Sequence, residues 1–249
     1  MSVSAVYQQS NYTARFEWGV EGVRALAPVS DLIVIIDVLS FTTCVDIVLN
    51  RKGIVFPFPF KDASAAEYAR EMNALLAGKR GEPISLSPAK LALLEENSRI
   101  VLPSPNGATC SFIAKDNQCE VIAGCLRNAG AVARYIQQRG GIVSVIASGE
   151  RWSDGSLRPG FEDMLAAGAI LSQLHPFELS PEAGSAAAVF EASRSKLAPM
   201  VAACGSGQEL IASGYEDDVQ LASELDSSSV IPVLDHHGAF VDSSHSLHR

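Results

Sequence analysis

The sequence predicts an α/β protein with three layers, an α/β/α arrangement in which helices cover both faces of a mostly parallel or mixed sheet. Short apolar runs alternate with helical patterns along most of the 249 residues. This alternation is typical of parallel strands that are joined by crossover helices. In addition, 47% of the residues are hydrophobic and 19% are charged. Such a composition supplies a large core and excludes a disordered chain.

Apolar runs bounded by turn residues predict the strands. These runs cover residues 32–36, 53–56, 99–102, 120–123, 142–147 and 230–234. The run at 32–36 is wholly aliphatic, which is typical of a strand that is buried on both faces. Pro57 and Pro59 are expected to end the second strand, because proline lacks the N–H group that a sheet requires.

Helical patterns lie between and after these strands. They cover residues 41–49, 62–76, 107–114, 128–138, 161–174 and 181–225. Asp62 and Asn128 are good N-caps, and Gly78 is a stop signal after the second helix. The last region is expected to break near the sequence Gly205-Ser206-Gly207.

No repeat and no shift in composition divides the chain, so residues 1–234 are interpreted as a single domain. Residues 235–249 are interpreted as a polar tail, which contains His236, His237, His245 and His248. A metal site in this tail is one interpretation, and a solvated chain end is the one that we favour.

The net charge of −9, from 19 basic and 28 acidic residues, argues against nucleic acid as a partner. A phosphate substrate would need locally placed cations or a metal. No apolar run is long enough to span a membrane, and no export signal is present. The five cysteines form no C-x-x-C pair, which favours free thiols in the cytoplasm. The apolar fraction is compatible with a homodimer.

Polar residues follow four of the predicted strands, where ligands bind to open parallel sheets. They include Asp37, Thr42, Thr43, Asn106, Gly107, Asn128, Glu150 and Arg151. Each has a structural explanation of its own, since Asn106-Gly107 is a common turn and Asn128 a common cap. Their coincidence at one edge of the sheet favours a binding site.

Three carboxylates are the sharpest candidates. Asp37 follows five aliphatic residues, and a carboxylate there is costly to bury unless it is paired, hydrogen-bonded or metal-bound. Glu162 and Asp163 begin a helix after a flexible loop. Acidic residues are favoured in a first helical turn by the helix dipole, but adjacent carboxylates are also hard ligands for Mg²⁺.

Common motifs of other enzymes are missing from the sequence. No P-loop and no G-x-S-x-G elbow are present, and the third glycine of a dinucleotide fingerprint is replaced by Leu210. Asp37 is not followed two residues later by a second aspartate. The sequence therefore does not match the haloacid dehalogenase-like phosphatases.

An ordered set of segments extends from about Ile33 to Leu234. The segments are Val34-Ile35-Ile36-Asp37-Val38-Leu39 with Thr42-Thr43, Asn106-Gly107, Gly124 with Asn128-Ala129, Ser148-Gly149, Phe161-Glu162-Asp163, Gly214-Tyr215-Glu216-Asp217-Asp218-Val219 and Val230-Ile231-Pro232-Val233-Leu234. In this order they resemble the 2-phosphosulfolactate phosphatase (ComB-like) family.

This resemblance implies a Mg²⁺-dependent phosphatase acting on a small phosphorylated sulfo-acid on the route to coenzyme M. It implies that Asp37, Glu162 and Asp163 form the catalytic and metal-binding set. It also implies contacts from Thr42, Thr43, Asn106 and Gly107 to the substrate, with Arg151 as a cation near the same edge.

Three segments depart from the family pattern. Where the family has D-V-L-R-A-T, this chain has Ser40 and Phe41 in place of Arg-Ala. Where the family has G-E-R-G and N-S-P, it has Lys79 in place of Glu and Leu86 in place of Asn. One hypothesis is that Lys79 replaces an anion-binding arginine. The preferred interpretation is hydrolysis of a small phosphorylated hydroxy acid. The alternatives are another reaction on a small phosphorylated or dicarboxylic acid, and a non-catalytic family member that binds a small anionic metabolite.

Overall fold

The computed structural model describes residues 5–59 and 62–244. Its strands form a nine-stranded mixed sheet and a separate two-stranded hairpin. The strands are β1 (Ala14–Trp18), β2 (Leu32–Ile36), β3 (Ile54–Phe58), β4 (Leu75–Leu76), β5 (Arg99–Pro103), β6 (Glu120–Gly124), β7 (Val143–Ala147), β8 (Glu150–Arg151), β9 (Leu157–Arg158), β10 (Pro232–Leu234) and β11 (Phe240–Asp242). The sheet has the order β1-β7-β2-β6-β10-β11-β3-β5-β4, and β8 pairs with β9 in the hairpin.

Helices connect most of these strands. They are α1 (Gly19–Leu26), α2 (Phe41–Asn50), α3 (Ala63–Glu71), α4 (Pro88–Leu91), α5 (Gly107–Ala114), α6 (Ala129–Arg139), α7 (Phe161–Leu171), α8 (Pro181–Ser193), α9 (Leu197–Ala203), α10 (Gly205–Ala212) and α11 (Glu216–Ala222). None of the helices in the described ranges combines the length and hydropathy needed to cross a bilayer.

Strand β2 shows the three layers directly. Its side chains alternate between the two faces of the sheet, and all five are buried. Leu32, Val34 and Ile36 pack into a cluster with residues of α6, α7 and α8. Ile33 and Ile35 pack into a second cluster with residues of α1, α2 and α5. The three-layer α/β fold with a mixed sheet is therefore confirmed.

The sheet consists of two parallel groups that are joined by an antiparallel pair. Strands β1, β7, β2 and β6 form one group, and β3, β5 and β4 form the other. Strands β10 and β11 join them through antiparallel pairings. Residues of both groups contribute to one hydrophobic cluster, which also includes residues of α1, α2 and α5.

Most predicted elements are present, with shifts at their ends. The strand at 53–56 continues through Pro57 to Phe58. The helix predicted over 62–76 begins after the predicted cap Asp62 but ends at Glu71, because Asn73 has a positive φ of 47° and β4 then pairs with β5. The last helical region is divided into several helices, one of which is capped by Cys204.

The two ends of the sequence contain strands that were not predicted. At the N-terminal end, β1 pairs with β7, and the helix α1 follows it. Within the predicted polar tail, β11 pairs with β10, and Phe240 is fully buried against Phe41. A polar tail is therefore the wrong interpretation for residues 240–242. His236 and His237 are exposed in the turn before β11, while His245 and His248 lie outside the described residues.

Candidate active site

A cavity of about 270 Å³ lies where the loops after β2, β5 and β7 meet. Its volume is close to the lower end for small-molecule sites, so it matches a small metabolite. Its walls are formed by Asp37, Leu39, Ser40, Arg80, Leu86, Ser104, Pro105, Asn106, Glu150, Ser206, Glu209 and Leu210.

Asp37 is buried in this wall between the N-termini of two helices. Its Oδ2 accepts hydrogen bonds from the Gly107 N–H at 2.7 Å and from the Ser104 hydroxyl at 3.2 Å, and its Oδ1 accepts one from the Phe41 N–H at 3.3 Å. Burial raises the pKa of Asp37, and these three hydrogen bonds oppose the rise. The helix N-termini thus stabilise negative charge on a carboxyl that has lost most of its water.

Gly107 is needed where the backbone approaches Asp37. A Cβ atom at this position would lie 2.7 Å from Asp37 Oδ2 and 2.5 Å from the Phe41 ring. Both distances are too short for a real Cβ contact, so only glycine allows the N–H group to reach the carboxylate. Gly107, predicted as a substrate contact, here holds the side chain of Asp37.

Asp163 ties together the loops after β2 and β7. Its Oδ1 accepts a hydrogen bond from the Val38 N–H and its Oδ2 from the Gly149 N–H, both at 2.8 Å. Burial, followed by the negative charges of Glu162 and Asp37, raises the pKa of Asp163 well above its usual range. Each oxygen of this predicted metal ligand therefore already binds a main-chain amide.

Thr42 and Thr43 brace the same loop from behind. The Thr42 hydroxyl accepts from the Asp37 N–H at 3.0 Å and donates to the Asp37 carbonyl at 2.8 Å. The Thr43 hydroxyl donates to the Val38 carbonyl at 2.7 Å. Both side chains are fully buried and do not line the cavity. The structure thus places these two predicted substrate contacts behind the loop that presents Asp37.

Glu162 is buried at the start of α7. Its Oε2 accepts a hydrogen bond from the Cys204 thiol at 3.2 Å. Burial, with the charge of Glu162, raises the pKa of Cys204 to about 12. The charge of Glu162 also raises the pKa of Asp37 and of Glu150. Glu162 does not itself line the cavity, but its charge acts on the two carboxyls that do.

Glu150 is a candidate functional residue that the sequence reasoning placed at the sheet edge without assigning it a role. Its Oε2 accepts a hydrogen bond from the Asn106 side-chain amide at 2.9 Å. Burial raises its pKa to about 7, and the negative charges of Asp37 and Glu162 add to the rise, whereas Asn106 and Arg158 oppose it. A carboxyl that titrates near neutrality can give or take a proton at physiological pH. Its position directly after β7 was the available signal.

Among the lysines and arginines in the described part of the chain, only Arg80 lines the cavity. Lys79, the predicted replacement cation, is exposed and lines a neighbouring cavity instead. Arg151 is exposed, donates to the Gly155 carbonyl at 3.0 Å and lines a smaller adjacent cavity that shares Asn106 and Glu150. The structure therefore brings Asp37, Asn106, Glu150 and Arg80 to one cavity and leaves Lys79 outside it.

No group of three or more His, Cys, Asp or Glu side chains in the described residues is arranged to hold a metal ion. Two carboxylates, Asp37 and Glu150, line the cavity itself. Carboxylate oxygens are hard ligands, and Mg²⁺ commonly takes only one or two of them, together with water and substrate phosphate.

A family model matches most of the chain. The family model "2-phosphosulpholactate phosphatase" matches residues 21–237. The chain belongs to this family. The matched range contains Asp37, Asn106, Glu150 and Glu162. The family is one of phosphoric monoester hydrolases, which confirms the enzyme class that the resemblance implied.

Individual relatives of the chain carry the same name at modest identity. A probable 2-phosphosulfolactate phosphatase of Thermotoga maritima is 27% identical over 208 residues, covering 81% of this chain and 88% of the relative. One from Deinococcus radiodurans is 28% identical over 221 residues, covering 82% and 88%. One from Gloeobacter violaceus is 30% identical over 177 residues, covering 68% and 72%.

Proposed function

We propose that the protein hydrolyses the phosphomonoester of a small hydroxy acid, such as 2-phosphosulfolactate, to the free acid and phosphate. The observation that carries this proposal is the arrangement of Asp37 and Glu150 on one small cavity. Asp37 is a buried carboxyl held by main-chain amides, and Glu150 has a pKa of about 7. Two carboxyls in different environments are typical of a base and an acid that work together.

Each carboxyl has a defined part in this proposal. Asp37 takes a proton from the attacking water as its oxygen forms a bond to phosphorus. Glu150, in its neutral form, gives its proton to the ester oxygen as the P–O bond breaks. The Asn106 amide orients Glu150, and Asp163 holds the loop that carries Asp37. Solvent then returns the two carboxyls to their starting protonation states.

Mg²⁺ is part of the proposal, with the predicted set Asp37, Glu162 and Asp163 as the residues that would hold it. When bound, Mg²⁺ supplies positive charge that neutralises the phosphate oxygens and polarises the phosphorus. This charge also resolves the mismatch between an anionic substrate and a protein of net charge −9. We further expect the protein to act in the cytoplasm and not to bind nucleic acid. Formation of a homodimer stays a prediction.

Phosphate release from a panel of phosphorylated acids tests the proposal. The panel contains 2-phosphosulfolactate, 2-phospholactate and phosphoglycolate, each measured with added Mg²⁺ and with a chelator. We expect turnover with Mg²⁺ and little with the chelator. The proposal fails if no panel member is hydrolysed with Mg²⁺ present. Binding of the same compounds without turnover would favour the non-catalytic alternative.

A further inference from the structure

Asp218, a buried carboxylate outside the cavity, binds Arg80, the cationic side chain that lines the cavity. Asp218 lies on α11 and is 1% exposed. Its Oδ1 accepts hydrogen bonds from the Ser87 hydroxyl at 2.6 Å and the Ala89 N–H at 3.0 Å. Its Oδ2 accepts one from Arg80 Nη1 at 2.6 Å. Asp218 is thus fixed by two groups on one side and binds Arg80 with the other oxygen.

Two further contacts restrain the guanidinium of Arg80. Its Nη2 donates to the Ser40 hydroxyl at 2.8 Å, and the group lies over the Tyr215 ring at 4.8 Å. Ser40 lines the cavity and follows Asp37 by three residues. The Arg80 side chain remains 25% exposed, so it is held at the cavity wall without being sealed into the core.

The charges around the cavity explain why such a restraint matters. Asp37, Glu150 and Glu209 line the same cavity as this arginine. An unrestrained arginine would be attracted to these carboxylates and would neutralise the groups that carry the chemistry. The salt bridge to Asp218 keeps the Arg80 guanidinium away from these carboxylates. The planar guanidinium can still present N–H groups to an anion.

We propose that Asp218 is a positioning residue for anion recognition, which holds Arg80 where its guanidinium binds the acid group of the substrate. This inference rests on the proposed phosphatase function. The phosphoryl group belongs beside Asp37 and Glu150. Arg80 also lines the neighbouring larger cavity, so it lies at the boundary of the site, where the group remote from phosphorus would be held.

Two substrates separate recognition of the acid from recognition of the phosphate. Phosphoglycolate carries a carboxylate, and ethyl phosphate does not. We expect Asp218→Asn to raise KM for phosphoglycolate about tenfold, as for the loss of one charge-assisted hydrogen bond, with kcat changed less than about twofold. KM for ethyl phosphate stays the same. An equal rise in KM for both substrates would overturn the inference.

A double-mutant cycle tests whether Asp218 acts through Arg80. In an Arg80→Gln background, we expect Asp218→Asn to cause no further rise in KM for phosphoglycolate. A further rise similar to that in the wild type would show that Asp218 acts by another route. Asp217→Asn, at the neighbouring exposed carboxylate, is the matched control and leaves KM unchanged.

Folding is controlled with two more variants and with thermal unfolding. Ser87→Ala removes another partner of Asp218 without touching Arg80, so it lowers stability while leaving KM for phosphoglycolate unchanged. Asp218→Ser replaces Asp218→Asn if that variant does not fold, with the same expected and contradicting results.

Wild-type protein that is inactive on every phosphomonoester would contradict the proposed function itself. Wild-type protein that is active but has the same KM for both substrates contradicts this inference alone.

Discussion

The side-chain amide of Asn106 donates a 2.9 Å hydrogen bond to Oε2 of Glu150. This bond joins the loop after β5 to the strand β8, which lies 44 residues further along the chain. It stabilises the charged form of a carboxyl that burial and two neighbouring carboxylates push toward neutrality. Loss of this hydrogen bond therefore raises the pKa of Glu150 further, and this shift can be measured.

The pH profile of catalysis is the first prediction. In the proposed mechanism Glu150 gives its proton from the neutral form, so kcat/KM falls as the pH rises through the pKa of this carboxyl, which burial and the neighbouring carboxylates raise to about 7. Asn106→Ala removes a bond to the charged form and raises the pKa. We expect the falling limb of the profile to move to higher pH in this variant. An unmoved limb would assign the ionisation to another group.

The second prediction is that removing the charge of Glu150 stabilises the protein at high pH. The pKa of Glu150 rises from the ordinary glutamate value of 4.5 to about 7 in the folded protein. The folded state therefore loses stability as the pH rises from about 4.5 to 7, and the full loss is present above 7. Glu150→Gln has no charge to bury, so it stabilises the protein at pH 8 by about 2 kcal/mol, allowing for partial solvent exposure.

Chemical denaturation of the wild type and Glu150→Gln at pH 8 and pH 4 measures this difference. The gain at pH 4 is much smaller, because Glu150 is then largely protonated in both states. We also expect the variant to lose activity, because a glutamine side chain cannot give a proton to the ester oxygen as the proposed acid does. Equal stability of the two proteins at pH 8 would argue against a raised pKa.

The close approach of Gly107 to Asp37 gives the third prediction. Gly107→Ala places a methyl group against the carboxylate and the Phe41 ring, which costs about 1–3 kcal/mol of stability and displaces the catalytic side chain. Gly184→Ala on α8 is the control, because its Cβ atom meets nothing within 4 Å. It gains about 0.5–1 kcal/mol through helix propensity. Thermal unfolding and kcat of both variants check the pair.

Asp37→Asn is the fourth prediction. Asparagine keeps the shape of the side chain but cannot take a proton from water, so kcat falls by about 10²–10⁴-fold, the usual range for a general base. Asp31→Asn is the matched control, since Asp31 precedes β2 at its opposite end and its side chain accepts a hydrogen bond from the Ile142 N–H, away from the cavity. Full activity of Asp37→Asn would remove this residue from the mechanism.

Lys79→Ala is the fifth prediction. Lys79 is exposed and does not line the cavity, so KM for phosphorylated acids changes by less than about twofold, as for an ordinary surface substitution. Steady-state kinetics on phosphoglycolate measure this. A larger rise in KM would restore the hypothesis that Lys79 binds the substrate anion.

The sequence by itself determined the local parts of this protein. Five aliphatic residues at Leu32–Ile36 predict a strand buried on both faces, and the strand is there. The helix Gly107–Ala114 was predicted with its observed ends. Asp37 was recognised because a carboxylate at the end of such a strand needs partners. These features depend on neighbours within a few residues, so that periodicity and capping reveal them.

Only the tertiary structure decided which side chains face the cavity. Asn106 meets Glu150 across 44 residues, and Arg80 meets Asp218 across 138. Asn106 and Glu150 follow strands of different parallel groups, which β10 and β11 join into one sheet. Strand β11 lies within a segment that resembled a polar tail. Lys79 and Arg80 are neighbours in sequence with the same charge, but only Arg80 lines the cavity. Arg80 binds Asp218 on α11, a helix that packs against α4, and no property of the two neighbouring cations in the sequence indicates this long-range contact.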